Sequence, residues 1–171
     1  MAVALLLTTG LAIAGFLATS FQGFTVAAGM HAGHGVARVL MRQHVGWAIP
    51  TMLLSLFSQS MVIFYFIGTG RLVKDEIRGL SEEKQRPILS ALRRFKAQTS
   101  PPATFALLSA ITVFVVGAAV HTRALPSWAH LAASALALAI HGWAFVAEWR
   151  AFAENNRLMD DPRAFSRRTD N

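Results

Sequence analysis

The chain of 171 residues contains no cysteine. Disulfides, thiolate metal sites, iron–sulfur clusters and covalently attached c-type haem are therefore excluded, and any metal or redox cofactor must be held by His, Met or oxygen ligands. Charge is also scarce: 15% of residues are Asp, Glu, Lys or Arg, against about a quarter in a soluble domain. Acids are missing altogether before Asp75. No P-loop, nucleotide fingerprint, Ser–His–Asp pattern or internal repeat is present, so the common sequence signatures of nucleotide enzymes and hydrolases do not apply.

What the chain has in quantity is apolar surface, 54% of its residues. Four stretches stand out: Ala2 to Met30, Val45 to Gly68, Pro102 to Val120, and Leu125 to Ala147. Each approaches or exceeds the ~20 residues a helix needs to cross a bilayer core, and none contains Lys, Arg, Asp or Glu. The runs are continuous and rich in Ala and Leu, which argues against strands. The expected fold is all-α: an integral membrane four-helix bundle, with residues 1–154 as one transmembrane domain and 155–171 as a polar cytoplasmic tail. The first stretch lacks a basic flank and a clean cleavage site, so it is expected to be a retained helix and not a signal peptide.

The net charge of +7 is unevenly placed. Of the 16 basic residues, only Arg38, Arg42 and Arg123 fall in the short intervals after the first and third stretches; the rest lie at 71–96 and after Trp149. By the positive-inside rule, the loop 69–101 and both termini face the cytoplasm of an inner membrane. Basicity here sets orientation, and no nucleic-acid partner is expected. Within the loop, Ile88, Leu92 and Phe95 share one helical stripe opposite Arg93, Arg94 and Lys96. This predicts a short amphipathic helix on the anionic leaflet, or else an extension of the third span.

The outward intervals hold no carboxylate but gather histidine. His31, His34 and His44 lie in or beside the first, and His121 and His130 flank the second. His141 is deeper. His130 and His141 are eleven residues apart, which places them about 20° apart on one helix face and ~16 Å apart in depth. Ser134 and Glu148 share that face, and the corresponding face of the second span carries His44, Thr51, Ser55 and Gln59. Buried polar faces in membranes turn inward to a partner helix, cofactor or water path.

Two neutral imidazoles on different helices at one depth, with cations for the propionates, are what haem b requires. His44 with His130, or with His121, supplies the imidazoles; Arg38, Arg42 and Arg123 supply the cations. His141, with Gln59 beside the same path, is expected to hydrogen-bond a quinone or pass protons toward Glu148. Two other classes remain open. His31 and His34, three apart and with Met30, Met41 and His44 nearby, suit an outward-facing Cu or Zn site held by imidazole and thioether ligands. Alternatively, the chain is a cofactor-free accessory subunit, packing its small-residue ridge (Ala12, Gly15, Thr19) against other membrane subunits or a second copy.

Overall fold

Each apolar stretch forms a helix, and three of the four helices outrun the stretch that seeds them by many residues. The computed structural model describes residues 2–32 and 34–160, except the side chains of 27, 28, 30–32, 34, 36 and 37. Helix α1 spans Ala2–Ala32, α2 His34–Glu76, α3 Glu82–His121 and α4 Ser127–Asp160. All four are long and apolar enough to cross a membrane. Successive helices pack antiparallel, and α1 closes on α4 to complete the bundle. The chain reversals gather the C-termini of α1 and α3 with the N-termini of α2 and α4 at one end, the histidine end. The opposite end carries most of the Lys and Arg and is called the basic end.

The burial pattern is inverted relative to a soluble bundle. Outward faces carry Leu7, Leu11, Phe21, Phe57, Phe64, Leu108, Leu131 and Trp143, all exposed. Thr9, Ser55, Ser58, Gln59, His141, Glu148 and Asn155 are wholly buried between the helices. In water such an arrangement would forfeit most of the hydrophobic driving force; against hydrocarbon it forfeits nothing.

The third helix departs from expectation. Pro101 and Pro102 do not begin it; α3 starts at Glu82 and runs through Pro87, Pro101 and Pro102 without a break. Ile88, Ala91, Phe95, Thr99, Pro102, Ala103, Ala106 and Ala110 form one buried stripe at helical spacing across the prolines. An internal proline costs about 3 kcal/mol. Fully burying side chains such as Ile88 and Phe95 returns ~1.5–3 kcal/mol each, enough to hold the helix together. The segment 88–96 is thus the first part of α3, and its stripe meets protein: Val62, Phe66, Val73 and Ile77 of α2, and Ala151, Phe152 and Leu158 of α4.

Two further boundaries move. Helix α2 begins at His34, so His44 sits three turns inside a helix and not in a loop. Helix α4 continues through Asn155, which is buried, to Asp160.

Candidate functional site

The four helices separate around a cavity of about 890 Å3 at the histidine end. Its wall is mostly apolar, with Phe16, Met41, Val45, Met52, Val113, Phe114 and Leu125. His44 enters from α2 and His130 from α4; His121 and Arg123 stand at the α3–α4 turn.

His44 and His130 approach each other edge to face, with ring centres 6.1 Å apart and planes at 84°. Each ring is wedged against a different neighbour. His44 packs on α1 beside the Thr19 carbonyl, where a Cβ on Gly23 would lie 3.7 Å from its Cε1. His130 packs on α3 beside Val113, where a Cβ on Gly117 would come within 2.9 Å of its Cε1. Gly117 is therefore required by the imidazole: any side chain there would displace the ring. The Nδ1 atoms of both histidines are buried without a hydrogen-bond partner. Buried ring nitrogens normally find one, so two orphans on neighbouring rings are unusual.

The geometry can be tested against the expected cofactor. Two imidazoles that bind one metal from opposite sides, each through a bond of about 2 Å, hold their ring centres about 6 Å apart. The observed separation is of that order, and the unpartnered nitrogen of each ring is its Nδ1, which in His130 lies against α3, 3.3 Å from where a Cβ on Gly117 would stand. The cavity volume lies within the ~300–1,000 Å3 of pockets that enclose cofactor-sized ligands. Among the described residues, no group of three His, Asp or Glu side chains converges. The side chains of His31 and His34, the remaining candidate metal ligands, lie outside the described ones.

Arg123 is the cation the structure brings to the cavity. Arg38 and Arg42 are exposed on α2 and do not line it. Arg123 occupies an unusual backbone position, with φ of 63°. The Ala124 amide donates to the Ala119 carbonyl at 2.8 Å, and the Arg123 amide to Val120 at 3.0 Å, closing a Schellman cap. Its left-handed position is one that glycine fills most readily. An arginine held there carries strain of roughly 1–2 kcal/mol, and such strain collects at functional sites.

Below the cavity a polar column descends along the α2–α4 diagonal. His141 Nδ1 donates to the Ala137 carbonyl at 2.8 Å, because a carbonyl only accepts. In the neutral ring, Nε2 then accepts from the Ser55 hydroxyl at 2.7 Å. Both nitrogens are engaged, so His141 has none free for the quinone expected there. One level lower, the Thr9 hydroxyl donates to Glu148 at 3.3 Å. Gln59 lies beside the same carboxyl without closing a hydrogen bond to it. Neither His141 nor Gln59 lines the cavity.

Sequence reasoning overlooked Gly117, Thr9 and the depth of Glu148. The seven-residue spacing of His141, Glu148 and Asn155 on α4 signalled that Glu148 faces inward. Gly117 gave no signal, since its role depends on a ring from another helix.

A second cavity, of about 630 Å3, lies at the basic end between α2 and α3. Arg71, Lys74, Arg78, Arg93 and Lys96 surround an apolar floor that includes Phe66 and Leu89.

Comparison with family models, curated proteins and solved structures finds no match for this chain. Its functional reading therefore rests on its own residues.

Proposed function

We propose that this chain is a multi-pass inner-membrane protein, both termini cytoplasmic, that holds haem b between His44 and His130 and serves as an electron-transfer or quinone-interacting subunit. The observation that carries the reading is the pair of imidazoles from α2 and α4, 6.1 Å apart, each with an unpartnered Nδ1, in a cofactor-sized cavity. Bound there, haem would supply one-electron redox chemistry. The protein's contribution is to fix both rings through helix packing, to offer Arg123 to a propionate at the cavity mouth, and to keep the remaining wall apolar. His121, also at the mouth, is the reserve ligand.

A quinone in the same cavity is the second reading, favoured by the apolar wall and by the two free ring nitrogens, which can hydrogen-bond carbonyl oxygens. Either reading includes a role beside other membrane subunits or a second copy, against which the small-residue ridge of α1 could pack. The bilayer itself is the first partner. The inverted burial supports it, and the basic pocket together with the 88–96 segment of α3 suits anionic headgroups at the cytoplasmic leaflet.

Absorption spectra of the purified protein, oxidised and dithionite-reduced, test the cofactor. A Soret band with sharp reduced α and β bands is expected; a colourless protein from haem-replete cells would refute haem, and bound Cu or Zn would move the site to His31 and His34. Orientation is tested separately, by cysteines at Thr122 and Glu83. The first should label from outside intact cells and the second only after lysis; labelling at both would overturn the orientation.

A further inference from the structure

Three residues on one face of α4, His141, Glu148 and Asn155, recur every seven positions, and all are wholly buried. At 1.5 Å per residue they stand ~10 Å apart, forming three levels between the cavity and the basic end. The middle level is the anomalous one. Among the described residues no cation stands beside Glu148: α1 presents Thr9, α2 presents Gln59, and the next polar levels along α4 are Asn155 and His141. The Arg94–Glu154 pair, at 2.7 Å, and the Arg78–Asp75 pair, at 3.0 Å, are both exposed.

A bare carboxylate in this setting would stand uncompensated in a low-dielectric interior, which is costly. As a neutral acid the same group can donate its O–H to the Gln59 amide oxygen and still accept from Thr9. Glu148 Oε1, both polar atoms of the Gln59 amide and Asn155 Oδ1 are buried without partners. Their unused capacity is what bound water takes up inside proteins. A route to the surface begins beside them. The Asn155 amide donates to the Tyr65 hydroxyl at 3.2 Å, and that hydroxyl donates to Asn156 at the exposed surface, at 3.0 Å.

We propose that Glu148 is a proton-binding site inside the bundle, loaded from the basic end through Asn155 and Tyr65. In the loading step, hydronium at the Tyr65–Asn156 surface passes its proton along water held by the unpartnered atoms of Asn155, Gln59 and Glu148, and the proton adds to the Glu148 carboxylate, leaving water at the surface and the neutral acid inside. The site rests on the membrane reading but not on haem, because no residue of it touches the cavity.

Infrared difference spectroscopy of the full chain in lipid vesicles reads this site directly. The wild type should show a carboxylic-acid C=O band that shifts in D2O, and Glu148→Gln should lose it. If that variant fails to fold, Glu148→Asp should move the band to a new frequency. Asn155→Leu should retain the band but slow its deuterium shift about tenfold, the effect of ~1.4 kcal/mol on a barrier. The proposal is overturned if the band is missing in wild type, survives Glu148→Gln, or ignores D2O. It is also overturned if Asn155→Leu exchanges at the wild-type rate, or if sodium at constant pH removes the band, which would make this a cation site. The band is observed with or without haem, so failure here and failure of the haem reading are told apart by the visible spectrum of the same sample.

Discussion

At the basic end Phe66 stacks on Phe152 with ring centres 5.1 Å apart, and Ile77, Ile88 and Phe95 belong to the same buried cluster, with the basic cavity opening on its α2–α3 side. At the histidine end the same four helices part around a cavity of about 890 Å3. The first region is continuous apolar contact, with side chains at helical spacing from α1 through α4. The second has aromatic and aliphatic walls but holds two imidazoles, each with an unpartnered Nδ1, and an arginine at its mouth. Stability and function are thus separated along the bundle axis, the packed end holding four helices in register so that the open end can hold two rings at a set distance.

The largest expected effects break this comparison directly. Phe152→Ala removes a wholly buried ring from the packed end and should cost about 3–5 kcal/mol of stability, while the protein that still folds retains its haem spectrum. His44→Ala or His130→Ala should do the reverse: the low-spin haem signal disappears and thermal stability without haem changes little. Equal loss of haem from Phe152→Ala and His44→Ala, measured per folded molecule, would show that the two ends are not separate. His141→Ala falls between them. It should leave the spectrum intact but strand the Ser55 hydroxyl, at a cost of ~1–3 kcal/mol.

A smaller perturbation sharpens the comparison within the open end. Gly117→Ala places a methyl group 2.9 Å from the His130 ring, whereas Gly23→Ala places one at 3.7 Å from His44, an ordinary contact. The first should shift the Soret band or lower haem occupancy; the second should be nearly silent. If the two substitutions behave alike, His130 is not held where the packing of α3 puts it.

How much of this was legible in the sequence differs between the two ends. Four helices follow from four apolar runs, and the pairing of His44 with His130 follows from depth and period, since each lies near the start of an apolar run whose helix runs in the same direction. The basic end was harder. The stripe from Ile88 to Phe95 was visible, but amphipathicity alone does not say whether lipid or protein covers it; only the facing Val73, Ile77 and Phe152 decide. Pro101-Pro102 suggested a helix start because local propensity is strongest there, and tertiary burial on either side overrode it. Arg38 and Arg42 were expected at the cavity because they flank His44 in sequence. On a helix that begins at His34 they point elsewhere, whereas Arg123 is turned in by a cap that no propensity predicts.

Arg123 offers a test in which stability and function move in opposite directions. Arg123→Gly places the preferred residue at the left-handed position and should raise stability by about 1 kcal/mol. It also removes the cation at the cavity mouth. Haem should then be retained by its two imidazoles but bound more weakly, and the melting temperature of the haem-free protein should rise. A variant that is both less stable and unaltered in haem affinity would mean that Arg123 serves the turn and not the site.

The smallest effect concerns the basic pocket, where five cations gather against three at the whole of the other end. Replacing Arg93 and Lys96 with Gln removes two charges from a pocket that also holds Arg71 and Lys74. Each basic residue near an anionic leaflet contributes about 1 kcal/mol of attraction. The double variant should therefore lose part of the extra stability that anionic vesicles confer over zwitterionic ones, with the difference shrinking further as salt screens the remaining charges. The apolar stripe beneath is untouched, so stability in zwitterionic vesicles should not change. Replacing Arg38 and Arg42 with Gln provides the matched control at the histidine end, since both are exposed but line neither cavity. If the two double variants lose the same anionic-lipid stabilisation, the basic pocket adds nothing to general surface charge, and the cations of α2 and α3 serve orientation alone.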